Sequence, residues 1–188
     1  MTIYTPEVQK KLETYLATHE LPVGVGTEES ACSIAAINLA LTGKLTDDIP
    51  DCMSAVLGRA IITLQDDMPH EMRNSRRYKE WLPHAAGTGR GHEKERLDIL
   101  MDWMWGTVLP QLQPLADTSG FGEEWKDMCS ERTSVAAARA AAYAAYAAYA
   151  AADAARAAHA AARTASSAYD VDPIGVLERM TYLIGEKE

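Results

Sequence analysis

The stretch from Ser134 to Ser167 limits what this chain can fold into more than any other part. It is almost all alanine, interrupted by Arg139, Tyr143, Tyr146, Tyr149, Asp153, Arg156, His159 and Arg163, with no glycine or proline. Alanine is the best helix former because it loses no rotamer freedom and competes for no backbone group. The stretch therefore predicts one continuous helix, roughly 45 Å long for about 30 residues. The interruptions are spaced 4, 3, 3, 4, 3, 3 and 4 residues apart. Residues three and four apart share a helix face, so the large side chains form a single slowly drifting stripe, and the remaining surface is methyl groups able to pack closely against other helices.

This stripe has two readings. It is either the solvated side of a helix whose alanine faces are core, or the wall of a groove. Tyrosine offers a flat apolar face with a polar tip, and arginine recognises carboxylate or phosphate through a fork of donors. A planar anionic ligand such as a nucleotide suits Tyr143, Tyr146, Tyr149, Arg156, His159 and Arg163.

The rest of the chain also reads as helical. Pro6 to His19 is amphipathic, with Val8, Leu12, Tyr15 and Leu16 on one side. Thr27 reads as an N-cap, with Glu28 and Glu29 in the first turn of a buried helix that Gly43 ends. Asn38 falls inside that apolar run and needs partners, either a ligand or core carbonyls. Asp51 opens a helix that runs through Gln65, and Met68-Pro69 stops it. Ser75 caps a short helix ending near Leu82-Pro83. A further helix runs from about His92 to Leu109, and Glu123 onward flows without a breaker into the alanine stretch, giving a long helix over about 123–168. Asp172-Pro173 is a stop and restart, followed by a closing helix to Ile184. No stretch alternates with period two. The expectation is an all-α, single-domain helical bundle of six to eight helices around the long alanine-rich helix.

Charge narrows the function. A formal charge of −9 and a pI near 5 argue against general nucleic-acid binding. Against that background, His70 to Arg96 holds seven Lys/Arg and four Asp/Glu. This basic island includes Arg73, Arg76, Arg77 and Arg90, and it surrounds the one glycine-rich loop, Ala85-Ala-Gly-Thr-Gly89-Arg90-Gly-His92. Free N–H groups at a helix start bind anions, so Arg73, Arg77, Gly89 and Arg90 join the stripe as candidate ligand contacts. The loop lacks the Gly-Lys-Ser/Thr of a phosphate-binding loop, and no strand precedes it.

Other chemistry has weaker support. His92 and Glu95 sit one turn apart with Asp98 and Asp102 beyond, an incomplete metal set. Cys32, Cys52 and Cys129 are odd in number and widely spaced, which reads as small buried hydrophobes in a reducing compartment. No secretory signal or apolar span is read, which places the protein in the cytoplasm. No cofactor is expected. An alanine face invites self-association, so a homo-oligomer is expected.

The segments Thr27-Glu-Glu-Ser-Ala-Cys-Ser-Ile-Ala-Ala-Ile-Asn-Leu-Ala-Leu-Thr-Gly43, Thr46-Asp-Asp-Ile-Pro-Asp-Cys-Met-Ser54, Ala85-Ala-Gly-Thr-Gly89, Leu97-Asp-Ile-Leu-Met-Asp-Trp-Met-Trp105 and Gly120-Phe-Gly-Glu-Glu-Trp125 resemble a family of small proteins common in phage and bacterial genomes. Its members end in an alanine-rich helix punctuated by aromatic and charged residues, and some are described as immunity-like. The resemblance covers most of the chain and implies a phage or mobile-element setting within a bacterial host. It implies no activity and carries over no catalytic residues.

The leading functional expectation is a non-enzymatic, anti-defence type of binding protein that sequesters a small anionic, nucleotide-like signal. The alternatives are an immunity or inhibitor protein that covers a protein partner, and a metal-dependent hydrolase of a phosphorylated small molecule.

Overall fold

The structure is a computed structural model, and it describes residues 3–132, Ala136, Ala140 and 172–183. The fold is all-α, as the sequence predicts. The chain groups into two compact units, 1–99 with 172–188, and 100–171.

In the first unit, α1 (Pro6–Thr18) begins at Thr5, whose hydroxyl accepts the Val8 N–H, and it buries Leu12 and Leu16. The chain then makes a two-residue antiparallel ladder, β1 (Gly26–Thr27) against β2 (Ser30–Ala31). This replaces the expected cap at Thr27. The turn depends on Gly26 at φ +79°, where a Cβ would lie 1.9 Å from the Ser30 carbonyl oxygen. Helix α2 (Ser33–Thr42) starts only after it, with Cys32 at the cap. Gly43 ends α2 in the left-handed conformation, as the sequence predicts.

Helix α3 (Ala55–Asp67) starts at Ser54, three residues later than the expected Asp51. Short α4 (His70–Arg73) leads to α5 (Arg76–Ala86), capped by the Ser75 hydroxyl, which accepts the Tyr78 N–H. α5 does not end at Leu82-Pro83: it continues through a buried Pro83 to Gly87. The cost of the missing proline N–H is offset because Leu82, Ala85 and Ala86 around it are buried.

The closing helix α10 (Pro173–Tyr182) has Asp172 as its cap, whose carboxylate accepts the Gly175 N–H at 2.9 Å. It packs on α3 and α5, burying Ile174, Val176, Leu177 and Met180. Each such side chain contributes about 1.5–3 kcal/mol when fully removed from water. The unit is therefore assembled from two chain segments that lie far apart in sequence.

Helix α6 (Glu93–Trp103) crosses the division between the units. In the second unit the helical path continues as a π-helical turn (Met104–Val108), α7 (Leu109–Gln111) and α8 (Gln113–Thr118). The irregular hydrogen bonding has a local cause. Pro110 has no N–H to give to the Gly106 carbonyl, and inserted π turns absorb such gaps. The Trp125 indole N–H donates to the Leu109 carbonyl at 2.9 Å. Helix α9 (Gly122–Glu131) packs on α8, and Met128 joins Ala136 and Ala140 in a small core flanked by Trp105, Leu109, Trp125 and Cys129.

α9 ends with Arg132 at φ +52°. The uninterrupted helix expected from Glu123 onward is thus broken there, and the remainder of that expectation lies outside the described residues, apart from helical Ala136 and Ala140.

Candidate functional site

The structure shows where the basic island directs its charge. Arg73 is 5% exposed. Its Nε donates to the Leu21 carbonyl at 2.8 Å, and its Nη1 donates to the Gln65 and Met68 carbonyls at 3.1 and 2.9 Å. It ties the C-terminal end of α3 to the loop after α1. Around it, Gln65 Oε1 accepts the Ser33 N–H at 2.7 Å, Gln65 Nε2 donates to the Pro22 carbonyl, and the Ser33 and Tyr78 hydroxyls lie 2.9 Å apart. Desolvation raises the pKa of the fully buried Tyr78 phenol.

Arg77 faces α10. Its Nη2 reaches Glu178 Oε2 at 2.5 Å, its Nε reaches Glu178 Oε1 at 3.0 Å, and its Nη1 reaches both Asp172 oxygens at 3.1–3.2 Å. The hydrogen bond to Glu178 leads the causes that hold its guanidinium protonated beyond the ordinary range. Arg90 Nη2 donates to the Ile49 and Pro50 carbonyls and lies 3.6 Å from Asp51. The Gly89 N–H donates to the Cys52 carbonyl at 2.8 Å.

Arg73, Arg77 and Arg90 thus form an internal fastening system. Arg96, which the sequence reading did not single out, is 3% exposed and completes it. Its Nε donates to the Met180 carbonyl at 3.1 Å, its Nη1 to the Gly91 carbonyl and its Nη2 to the Thr88 carbonyl at 3.5 Å. The glycine-rich loop is therefore bound to the protein's own polar groups. Asn38 is a satisfied core amide: its Nδ2 donates to the Thr46 and Asp48 carbonyls, both at 2.8 Å.

Tyr143, Tyr146, Tyr149, Arg156, His159 and Arg163 lie outside the described residues. The structure brings Arg73, Arg77, Gly89 and Arg90 into one unit, but each serves a different internal contact.

In the first unit, α5 and α10 border an open groove of about 460 Å³. Arg76, Glu80, Trp81 and His84 line it from α5, and Glu178 and Tyr182 from α10, beside Arg77. Its floor is fixed by the Trp81 indole N–H, which donates to the Thr181 hydroxyl at 3.1 Å. On its rim, Arg76 and Glu80 pair at 2.6 Å, and the His84 and Tyr182 rings lie 6.1 Å apart at 53°. The four-residue spacing of Arg76, Glu80 and His84 was visible in the sequence. Their meeting with Tyr182, about a hundred residues away, had no sequence signal.

In the second unit, the described residues expose mainly negative charge. Asp102, Asp117, Glu123, Glu124, Asp127 and Glu131 stand against Lys126 and Arg132. Glu123, Asp127 and Glu131 of α9 are exposed.

Among the described residues no group of three or more His, Cys, Asp or Glu is placed to hold a metal ion. His92 Nδ1 lies 3.4 Å from Glu95 Oε1, and Asp98 pairs with Lys94 at 2.6 Å. Cys32 is buried and Cys52 and Cys129 half-buried, all as free thiols whose pKa values burial raises. No helix among the described residues is long and apolar enough to cross a membrane. No protein family, curated protein or solved structure matches this chain.

Proposed function

We propose that this is a non-enzymatic binding protein whose partner is another protein with a basic contact surface, an inhibitor or immunity type of role. One observation carries this reading. Arg73 and Arg96 of the basic island are buried on internal carbonyls, and Arg77 and Arg90 are paired within the chain, whereas Glu123, Asp127 and Glu131 of α9 reach solvent in a chain of formal charge −9. Complementary charge speeds association and selects partners. The acidic first turn of α9 also stabilises that helix through its dipole, so the test uses isosteric amides and reads helicity beside binding.

Tagged full-length protein is expected to retain a host protein in a fixed ratio at low salt and to release it as salt rises toward about 0.5 M, where screening is short-ranged. The Glu123→Gln/Glu124→Gln/Asp127→Asn variant should lose that partner while its circular dichroism stays helical. Retention by the variant, unchanged by salt, overturns the reading.

A second reading is the small anionic, nucleotide-like ligand. It is supported by the three- and four-residue spacing in sequence of Tyr143, Tyr146, Tyr149, Arg156, His159 and Arg163, the spacing that shares a face where a chain is helical. Buried Arg73 is committed to internal carbonyls and adds nothing to it. Purified protein with raised absorbance at 260 nm, releasing a nucleotide-like compound on denaturation, would favour this reading. Such a compound should then fail to bind an Arg156→Ala/Arg163→Ala variant.

A further inference from the structure

We infer that the α5 face bordering the groove is the seam between two copies of this chain. Arg76, Glu80 and His84 recur every four residues and form one row along α5. The side chains of Arg76 and Glu80 are 88% and 63% exposed. Within that row the Arg76–Glu80 pair is its own complement when reversed. When two α5 helices meet antiparallel about a two-fold axis through the position of Tyr78, each Arg76 stands opposite the other copy's Glu80. This is the isologous arrangement that closed dimers use.

Local charge balance strengthens the assignment. Two chains of −9 repel as wholes, so copies meet most readily where the surface is neutral. The groove lining supplies Arg76 and Arg77 against Glu80 and Glu178. To one side of the axis it also presents an apolar contact, since Tyr182 is 51% exposed beside His84, and aromatic side chains are enriched in interfaces. Within one copy the Arg76–Glu80 pair is an exposed i,i+4 contact of small consequence. Across a two-fold axis it sets both register and orientation. This surface is distinct from the acidic α9 residues, so either assignment can fail without the other.

Light scattering across the micromolar range tests the seam with the full chain. The wild type is expected to approach twice the 20.5 kDa chain mass. Arg76→Glu and Glu80→Arg, each alone, place like charges opposite one another and should give the single-chain mass. The combined Arg76→Glu/Glu80→Arg variant reverses the row but keeps it self-complementary, so it should restore the dimer. Circular dichroism that stays helical across the set separates loss of the seam from loss of fold. A wild-type mass of 20.5 kDa at all concentrations, single variants that remain dimeric, or a double variant that stays monomeric would each overturn the assignment.

Discussion

Glu93 caps the start of α3 through a carboxylate that receives the Ser54 hydroxyl at 2.5 Å across 39 residues of sequence. The same carboxylate accepts the Ala55 and Val56 N–H groups at 2.8 and 3.2 Å, while the Ser54 hydroxyl oxygen accepts the Leu57 N–H. Burial opposes the charge on Glu93, but the bonds from Ser54, Ala55 and Val56 and the nearby Arg96 outweigh it and hold the carboxyl below its ordinary value of 4.5. A pKa lowered in the folded state gives stability that is complete above the unfolded value and is lost as pH falls through the folded one. Glu93→Gln turns an amide donor toward other donors and is expected to cost about 1–2 kcal/mol near neutral pH. Urea unfolding from pH 7 down to pH 3 checks this. The gap between wild type and variant should stay constant above about pH 4.5 and close below it.

Arg73 is a positive charge buried among carbonyls, with no carboxylate of the described residues bonded to it. Three acceptors at the end of α3 and in the loop after α1 depend on it, and an orphaned buried acceptor costs about 1–3 kcal/mol. Arg73→Ala is expected to lower stability by roughly 3 kcal/mol or more, and Arg73→Lys to recover only part of it, because a point charge cannot reach acceptors in diverging directions. The urea midpoints of the three proteins order the effect. A near-neutral Arg73→Ala would show that the fastening is replaceable.

These two residues show what the sequence conveys and what it conceals. The helices were legible because their signals are local: Gly43 ends α2 and Asp172-Pro173 opens α10 through short-range backbone geometry. The two-residue ladder at Gly26–Ala31 was not legible, since it is too short to have a period. Composition revealed the basic island but not the internal contacts that Arg73 and Arg96 make. An arginine aimed at a phosphate and one aimed at a carbonyl look alike in one dimension, and the acceptors for Arg73 and Arg96 come from as far away as Leu21 and Met180. The groove was invisible for the same reason, because α10 reaches α5 only after the intervening unit.

His92 stands just before α6 at φ +58°, in the left-handed region that a β-carbon disfavours. Its imidazole approaches Glu95 at 3.4 Å on the surface, and exposed pairs of this kind add little. Glycine removes the steric penalty of about 1–2 kcal/mol per residue in that conformation, offset in part by the greater freedom of the unfolded glycine. His92→Gly is therefore expected to stabilise the protein by about 0.5–1 kcal/mol, raising the thermal midpoint. A lowered midpoint would show that the imidazole does more than occupy a turn.

Gly58 tests packing against propensity. It lies inside α3, where replacement by alanine ordinarily stabilises by about 1 kcal/mol. Here a β-carbon would meet Ile49 Cγ2 at 2.6 Å, Cγ1 at 2.9 Å and Cδ1 at 3.0 Å. The obstacle is a whole β-branched side chain with a restricted χ1, not a flexible tip that can swing aside. Overpacking of this kind costs about 1–3 kcal/mol, so Gly58→Ala is expected to destabilise despite the gain in helix propensity. Ile49→Ala removes Cγ1, Cγ2 and Cδ1, so Gly58→Ala placed in an Ile49→Ala background should be neutral or stabilising. The full double-mutant cycle, read by denaturant unfolding, then gives a coupling of opposite sign to the single-site loss. Additive effects would mean that the segment carrying Ile49 moves freely away from α3, and that glycine at this position does not set the spacing between them.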